Sequence, residues 1–268
     1  MKAAAQTVEN ELVSLRNPEK AVILQRFFKT GEGQYGEGDV FLGLMNPVTR
    51  AQAKKHAMLP MRETVRLLKS RYHEVRLCAL LIWVRQYDKG TPEVRQRIFT
   101  HYLKNATYVN NWDLVDLSAP NIVGRHLLGQ PRDILYDLAE SPLLWEQRIA
   151  VIATLTFIRH GEFDDTLKLA ERVLTHPHDL IHKAAGWALR EVGKRDRPLL
   201  TQFIEQHKRR MPRTMLRYAI EQYPDAERKA FLKEGVRTSP PMRPTVISQK
   251  RKKLSYPDFP LDIPSERV

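Results

Sequence analysis

The feature that most constrains the fold is a helical segment that recurs along the chain at intervals of roughly 30 to 36 residues. Each copy has a basic residue at its second position, followed by an apolar run rich in small residues. The copies are VRLCALLIW (75–83), QRIAVIATL (147–155), HKAAGWALR (182–190) and PRTMLRYAI (212–220). Their basic residues, Arg76, Arg148, Lys183 and Arg213, are 72, 35 and 30 residues apart. The first interval spans two repeats, and its midpoint falls on Trp112. A repeat of this length with two helices per unit is typical of an α-solenoid, in which each unit buries its apolar face against its neighbours.

Apolar residues recur at three- and four-residue spacing almost throughout, and the alternation typical of strands is scarcely present. We therefore predict an all-α protein, an α-solenoid whose helix pairs form a curved superhelix. One helix of each pair builds the concave face, which we expect to be basic. The repeat places the four basic residues and Trp112 at equivalent positions on that face.

Proline marks several helix starts, because it fits the first helical position and has no N–H to leave unpaired. The expected starts are Asn17-Pro18, Thr91-Pro92, Gln130-Pro131 and Met211-Pro212. We predict one helical domain over residues 1–235. Residues 236–268 hold six prolines and the run KRKK, which predicts an extended or disordered arm.

One stretch interrupts the helical pattern. The segment TGEGQYGEGDV (30–40) has four glycines and three acids. It lacks the terminal Gly-Lys-Ser/Thr of a phosphate-binding loop, and its acids would repel phosphate. We expect a flexible connection between two helices.

The net charge of +13, with a pI near 9.9, indicates a polyanionic partner, and nucleic acid is the commonest. Seven basic and three acidic residues give the 236–268 tail +4, which leaves +9 for the rest of the chain. The alternative is a solvated basic surface without a partner.

Other classes of protein are disfavoured by the sequence. A single cysteine, Cys78, excludes an internal disulfide, and its apolar neighbours predict a buried thiol. No apolar run is long enough to cross a bilayer, and the first residues lack the apolar core of a secretory signal, so we expect a cytoplasmic protein. His178 and His182 have H-x-x-x-H spacing, but Asp179 stands where a zinc protease needs glutamate. We expect His178 or Asp179 to cap a helix, and no metal.

Two tryptophans have suggestive neighbours. In NNWDLVD (110–116) Trp112 lies one helical turn before Asp116, and Trp187 lies one turn after Lys183. Each could simply be part of the core, as we expect for Trp83. An aromatic face also attracts a cation, however, by about 0.5 to 2 kcal/mol. Purines alkylated at N3 or N7 are cationic and leave without a general acid, so one carboxylate could stabilise the oxocarbenium-like sugar and direct a water. Asp116 is the candidate.

The segments NNWDLVD, LLWEQRIAV (143–151) and HKAAGWALRE (182–191) closely resemble the DNA alkylation repair family of AlkD-like glycosylases, over roughly residues 18 to 225. The resemblance implies HEAT-like helical repeats and a monomer that grips double-stranded DNA by its backbone. It also implies base excision repair of 3-methyladenine and 7-methylguanine, without metal or nucleotide cofactor.

The resemblance assigns roles to individual residues. It implies that Asp116 is the catalytic carboxylate, that Trp112 and Trp187 flank the lesion sugar, and that Arg148 grips a phosphate. We expect further DNA contacts from basic residues near the repeated helices. These are Arg76, Lys183, Arg190, Lys194 and Arg213.

Two alternatives remain open at this stage. One is a non-catalytic HEAT-repeat protein that binds DNA structures, and the other is a scaffold for an acidic protein partner. The sequence leaves undecided whether activity is retained, which lesion is preferred and whether bulky adducts are accepted. The roles of the 30–40 loop and of the tail are equally undecided.

Overall fold

The computed structural model describes residues 4–234, so the predicted arm at 236–268 lies outside the described residues. This part of the chain is helical and contains no strand, and one isolated β-bridge joins Val40 to Tyr72. The helices are α1 (Ala4–Ser14), α2 (Pro18–Phe27), α3 (Asn46–Lys55), α4 (Met61–Leu68), α5 (His73–Lys89), α6 (Pro92–Lys104), α7 (Trp112–Ala119), α8 (Asp133–Ala139), α9 (Leu144–Ala153), α10 (Leu155–Arg159), α11 (Asp164–Arg172), α12 (Asp179–Gly193), α13 (Arg197–His207), α14 (Arg213–Ala219) and α15 (Asp225–Glu234). Within these residues no helix is both long and apolar enough to cross a membrane. The all-α prediction is confirmed.

The chain divides into two compact units between Ser118 and Ala119. In the first unit α5 is central and packs against α3, α4 and α6, while α1 packs against α4. Nearly every residue in the first half of α5 is buried, and Trp83 and Cys78 belong to this core, as predicted. The second unit is built around α12, which packs against α9, α11, α13 and α14.

The repeated sequence segments fall on α5, α9, α12 and α14. Within the units, each of these helices packs against the helix that precedes it or against another member of the series; examples are α4 with α5, α8 with α9, and α12 with α14. This is the helical repeat expected from the sequence. The predicted single domain over 1–235 and its concave basic face stay predictions.

Two helix starts agree closely with the proline signals. The Asn17 side chain accepts a hydrogen bond from the Lys20 N–H at 3.0 Å, and the Thr91 side chain caps α6 through the Val94 N–H. The other two helices begin slightly later than expected. Helix α8 begins at Asp133, two residues after Pro131, and Pro212 is the cap of α14 instead of its first residue.

The 30–40 loop does connect two helices, α2 and α3, but it also packs closely against the first unit. The Gly36 N–H donates to the Lys29 carbonyl at 3.1 Å. A Cβ atom at Gly36 would lie 2.5 Å from the Phe28 carbonyl oxygen and 3.5 Å from Asn111 Nδ2. The loop therefore needs glycine at this position, because its backbone passes directly beside the Phe28 carbonyl at the end of α2.

Candidate active site

Helix α7 brings Trp112 and Asp116 to the surface on one face. Most of the helix is buried, and its half-exposed members are Trp112, Asp116 and Leu117. Because Trp112 and Asp116 are four residues apart, their side chains lie one above the other. The predicted pair is thus accessible, and it is not part of the core.

An aromatic cluster surrounds Trp112. The Trp112 ring stacks on Phe28 with centroids 5.0 Å apart and an interplanar angle of 15°, and it meets Phe27 edge-on at 5.9 Å. Phe28 is buried, whereas Phe27 is 62% exposed. Neither phenylalanine was predicted from the sequence, although the Phe-Phe pair at the end of α2 was the available signal. The cluster holds the Trp112 ring by one face and leaves an exposed aromatic beside it.

Asp116 lies close to a buried hydroxyl pair. Tyr102 is fully buried, and its hydroxyl is 2.9 Å from Ser118 Oγ. Burial raises the pKa of the Tyr102 hydroxyl, and the negative charge of Asp116 raises it further. The Tyr102 hydroxyl consequently stays neutral beside the Asp116 carboxylate.

A buried ionic network lies at the start of α7. His73 is 1% exposed; its Nδ1 is 3.1 Å from Asp39 Oδ2, and its Nε2 is 2.8 Å from Asp113 Oδ2. Asn111 Nδ2 donates to Asp39 Oδ2 at 3.0 Å, and Asn111 Oδ1 accepts from the Trp112 N–H at 2.8 Å. The network therefore ties the 30–40 loop and α5 to the backbone of Trp112.

The charges in this network favour protonated His73. Burial alone would lower the pKa of His73, but the charge of Asp113 and the hydrogen bonds to both carboxylates outweigh it and raise the pKa to about 9. Burial would raise the pKa of Asp39, yet the hydrogen bond from His73 and the charge of Arg76 lower it. Near neutral pH the cluster is thus a set of paired charges.

Arg76 requires a correction. We expected it on an exposed basic face, but its side chain is buried, with the residue only 4% exposed. Its Nη2 donates to Asp39 Oδ1 at 2.5 Å, and its Nη1 donates to the Ser70 and Arg71 carbonyls at 3.0 and 3.2 Å. Because these donors are already used inside the first unit, Arg76 is an internal ion-pair partner and is unsuited to a phosphate contact.

In the second unit Trp187 is half-buried on α12, one turn after Lys183. Lys183 forms an ion pair with Asp179 at 2.9 Å. Arg148 is more enclosed than we expected, with 5% of its surface exposed, and its Nη1 donates to the Leu180 carbonyl at 2.6 Å. Arg148 therefore joins α9 to the first turn of α12.

The remaining predicted DNA contacts differ in exposure. Arg190 is half-buried and pairs with Glu221, whereas Lys194 is exposed and pairs with Glu191 at 2.7 Å. Arg213 is half-buried and donates to the Leu232 carbonyl at 3.1 Å. Lys183 and Lys194 are the most exposed cations of the predicted set. Because exposed ion pairs are weak, both can leave their acidic partners to contact DNA.

The basic residues of the repeat differ in their distance from the helix start. Asp116 in α7, Arg148 in α9 and Lys183 in α12 are each the fifth residue of their helix. Arg76 is the fourth residue of α5, and Arg213 is the first residue of α14, as Trp112 is of α7. The equivalence of these positions along the repeat therefore stays a prediction.

His178 caps α12, as predicted. His178 precedes α12, and its Nδ1 accepts a hydrogen bond from the Leu180 N–H at 3.1 Å. Across residues 4–234, no group of three or more His, Cys, Asp or Glu side chains is arranged to hold a metal ion. Burial raises the pKa of the Cys78 thiol to about 12, which keeps it protonated and unreactive.

Comparison with known proteins supplies the family. The family described as DNA alkylation repair enzyme matches residues 8–223. The chain belongs to this family. A solved structure described as a predicted DNA alkylation repair enzyme from Enterococcus faecalis is also similar, with a TM-score of 0.63 at 17% identity, covering 78% of this chain and 97% of that chain. At that identity the likeness concerns the fold. No curated protein matches the sequence.

The match to the DNA alkylation repair family begins in α1 and ends after α14, so it covers helices of both units. It includes Trp112, Asp116, Arg148 and Trp187. The resemblance noted in the sequence is thereby confirmed.

Proposed function

We propose that this family member is a DNA glycosylase that hydrolyses the N-glycosidic bond of cationic alkylated purines in duplex DNA. The observation that supports this most is helix α7, which is largely buried and yet exposes a tryptophan and a carboxylate one turn apart. The neighbouring Tyr102 is buried, and the raised pKa of its hydroxyl keeps that group protonated and uncharged beside the Asp116 carboxylate.

The chemistry needs few groups. A purine methylated at N3 or N7 carries a positive charge and departs as a neutral base, so the enzyme need not protonate it. The sugar develops positive charge as the bond breaks, and the Asp116 carboxylate stabilises that charge and orients the attacking water. The face of Trp112 adds a cation–π attraction of about 0.5 to 2 kcal/mol. The stack on Phe28 holds the ring in place for this contact.

DNA is the proposed partner, bound by a monomer acting in the cytoplasm. The net charge of +13 favours attraction to the phosphate backbone. Lys183 and Lys194 are accessible and are the first candidates for phosphate contacts, followed by Arg190 and Arg213. The proposed roles of Arg148 at a phosphate and of Trp187 at the lesion sugar come from the family resemblance.

The test compares Asp116→Asn with the wild type on methylated duplex DNA. The matched control is Asp137→Asn, which removes an exposed carboxylate of α8. We expect Asp116→Asn to slow release of free base at least about 100-fold, as is usual when one charge-stabilising group is lost. DNA affinity and thermal stability should stay near wild type in both variants.

Two results would contradict the assignment. Equal loss of stability and of base release in Asp116→Asn would make Asp116 a structural residue. Binding of methylated DNA by the wild type without any base release would favour a non-catalytic DNA-binding protein.

A further inference from the structure

We infer that His73 is a positioning residue for the proposed reaction. Its imidazolium clamps Asp39 of the 30–40 loop and Asp113 of α7, and this fixes Trp112 and the start of the helix that carries Asp116. The effect of His73 on catalysis rests on the proposed function. The clamp itself rests only on the geometry of the first unit.

The clamp follows from the contacts of the ring. Both ring nitrogens of His73 face carboxylate oxygens, at 3.1 Å to Asp39 and 2.8 Å to Asp113. An ionised carboxylate only accepts hydrogen bonds, so both nitrogens must donate, and only the imidazolium can do so. Loss of that proton would leave a ring lone pair facing a buried carboxylate.

The groups that face His73 come from several elements. Asp39 lies in the loop, Asp113 on α7, and Arg76 on α5 pairs with the second oxygen of Asp39. Asn110 and Asn111 also donate to Asp39. Two carboxylates, one guanidinium and one imidazolium together carry no net charge. The raised pKa of His73, about 9, agrees with a protonated ring in this set. Glu74, the next residue of α5, is engaged by the backbone N–H groups of residues 42–44.

Two routes lead from His73 to Trp112. The first is a series of rings, since Phe28 lies 5.1 Å from His73 on one side and stacks on Trp112 at 5.0 Å on the other. The second runs through Asp39 and Asn111 to the Trp112 N–H. Loss of the positive charge of His73 is therefore expected to displace both the ring and the backbone of Trp112.

Stability alone is a weak reason for such a network. Burying four charges is costly, and a well-packed apolar replacement of a buried ion pair is often as stable or more so. Orientation is a stronger reason, because a displacement of about 1 Å in a catalytic site can cost about 100-fold in rate.

The experiment uses the full chain labelled with 5-fluorotryptophan, which gives one fluorine signal for each of the four tryptophans. The Trp112 signal is identified by its loss in Trp112→Phe. His73→Gln and Asp113→Asn are compared with wild type, and His56→Gln, a histidine of the same unit paired with Glu11, is the control. The signal and the single-turnover rate of base release are followed from pH 6 to 10.

In the wild type we expect the Trp112 signal to shift with a midpoint near pH 9, and base release to fall over the same range. His73→Gln should abolish the shift and slow release about 10- to 100-fold at neutral pH, while affinity for undamaged DNA changes less than about twofold. In Asp113→Asn the new amide can donate to a neutral ring. Release should then lie closer to wild type than in His73→Gln, and the alkaline fall should disappear.

Several outcomes would overturn the inference. It fails if the Trp112 signal does not titrate between pH 8 and 10, or if His73→Gln keeps both the wild-type signal and the wild-type rate. Should His73→Gln not fold, an alkaline fall retained in Asp113→Asn would exclude the clamp. A wild type that releases no base, yet shows the titration that His73→Gln removes, would reject the proposed function and keep the clamp on Trp112.

Discussion

At the scale of single residues, α7 holds two carboxylates in contrasting surroundings. Asp113 is buried against the positive charge of His73, whereas Asp116 is half-exposed one turn after Trp112. Asp113 is buried and held by the imidazolium of His73, which makes it poorly suited to contact a substrate, whereas Asp116 reaches the surface. The environment thus separates a structural acid from the proposed catalytic one.

The first prediction concerns His178 and acid stability. Burial lowers the pKa of His178, and of its neighbour His176, to about 4, from 6.5 in an unfolded chain. Between these values the unfolded state binds protons that the folded state does not. The free energy of unfolding should therefore be fully maintained above about pH 6.5 and fall as the pH drops towards 4. His178→Asn retains a good capping acceptor without titrating there.

Urea unfolding at pH 7.5 and pH 5 checks this prediction. The loss of stability on acidification should be smaller in His178→Asn than in the wild type. The control is His207→Asn, a histidine of α13 in the same unit. An identical loss in wild type and His178→Asn would show that the cap of α12 does not contribute to it.

The local sequence pattern predicted the environment of some residues correctly and that of others wrongly, for a physical reason. Trp83 and Cys78 were predicted to be buried because their neighbours are apolar, and the His178 cap because the helix starts beside it. Arg76 was wrongly placed because its partner, Asp39, lies 37 residues away. The partners in the Asp39–His73 and His73–Asp113 pairs are 34 and 40 residues apart, so residue spacing within one helix could not predict these contacts either.

At the scale of elements, α12 and α14 approach closely at a glycine. A Cβ at Gly186 would lie 2.5 Å from the Met215 carbonyl oxygen and 2.6 Å from Tyr218 Cβ. Gly186 directly precedes Trp187, so the close packing against α14 fixes the part of α12 that carries the proposed lesion contact. A main-chain neighbour cannot move aside without shifting α14.

The second prediction is that Gly186→Ala destabilises the protein by about 1 to 3 kcal/mol, because the added methyl overpacks a rigid contact. The matched control is Gly193→Ala at the end of the same helix. There the new Cβ would meet Leu200 Cδ2, the movable end of a side chain, so a smaller loss is expected. Chemical denaturation of both variants measures the difference. Gly186→Ala as stable as wild type would mean that the two helices are not held this closely.

The helices themselves were largely predictable, and the loop was not. Capping by Asn17 and Thr91 follows from local chemistry, which the sequence contains in full. The 30–40 loop looked like a flexible connection because its glycines and acids are typical of one. Its actual position depends on Asp39 reaching His73 and on Gly36 passing Phe28, which are contacts made only after folding.

At the scale of the whole molecule, the sequence, the helical fold and the family agree. The repeat predicted helix pairs, the described residues contain them, and the DNA alkylation repair family matches residues 8–223. A net charge of +13 suits a protein that works on DNA. The central proposal is chemical: that the protein breaks the bond between an alkylated purine and its sugar.

The most direct measurement is the release of free base from duplex DNA treated with a methylating agent, with the released bases identified by mass spectrometry and the abasic sites counted in the same sample. We predict 3-methyladenine and 7-methylguanine in the supernatant, one new abasic site for each base, and no dependence on added metal or nucleotide. DNA that is bound by the wild-type protein but retains all its methylated bases would contradict the account.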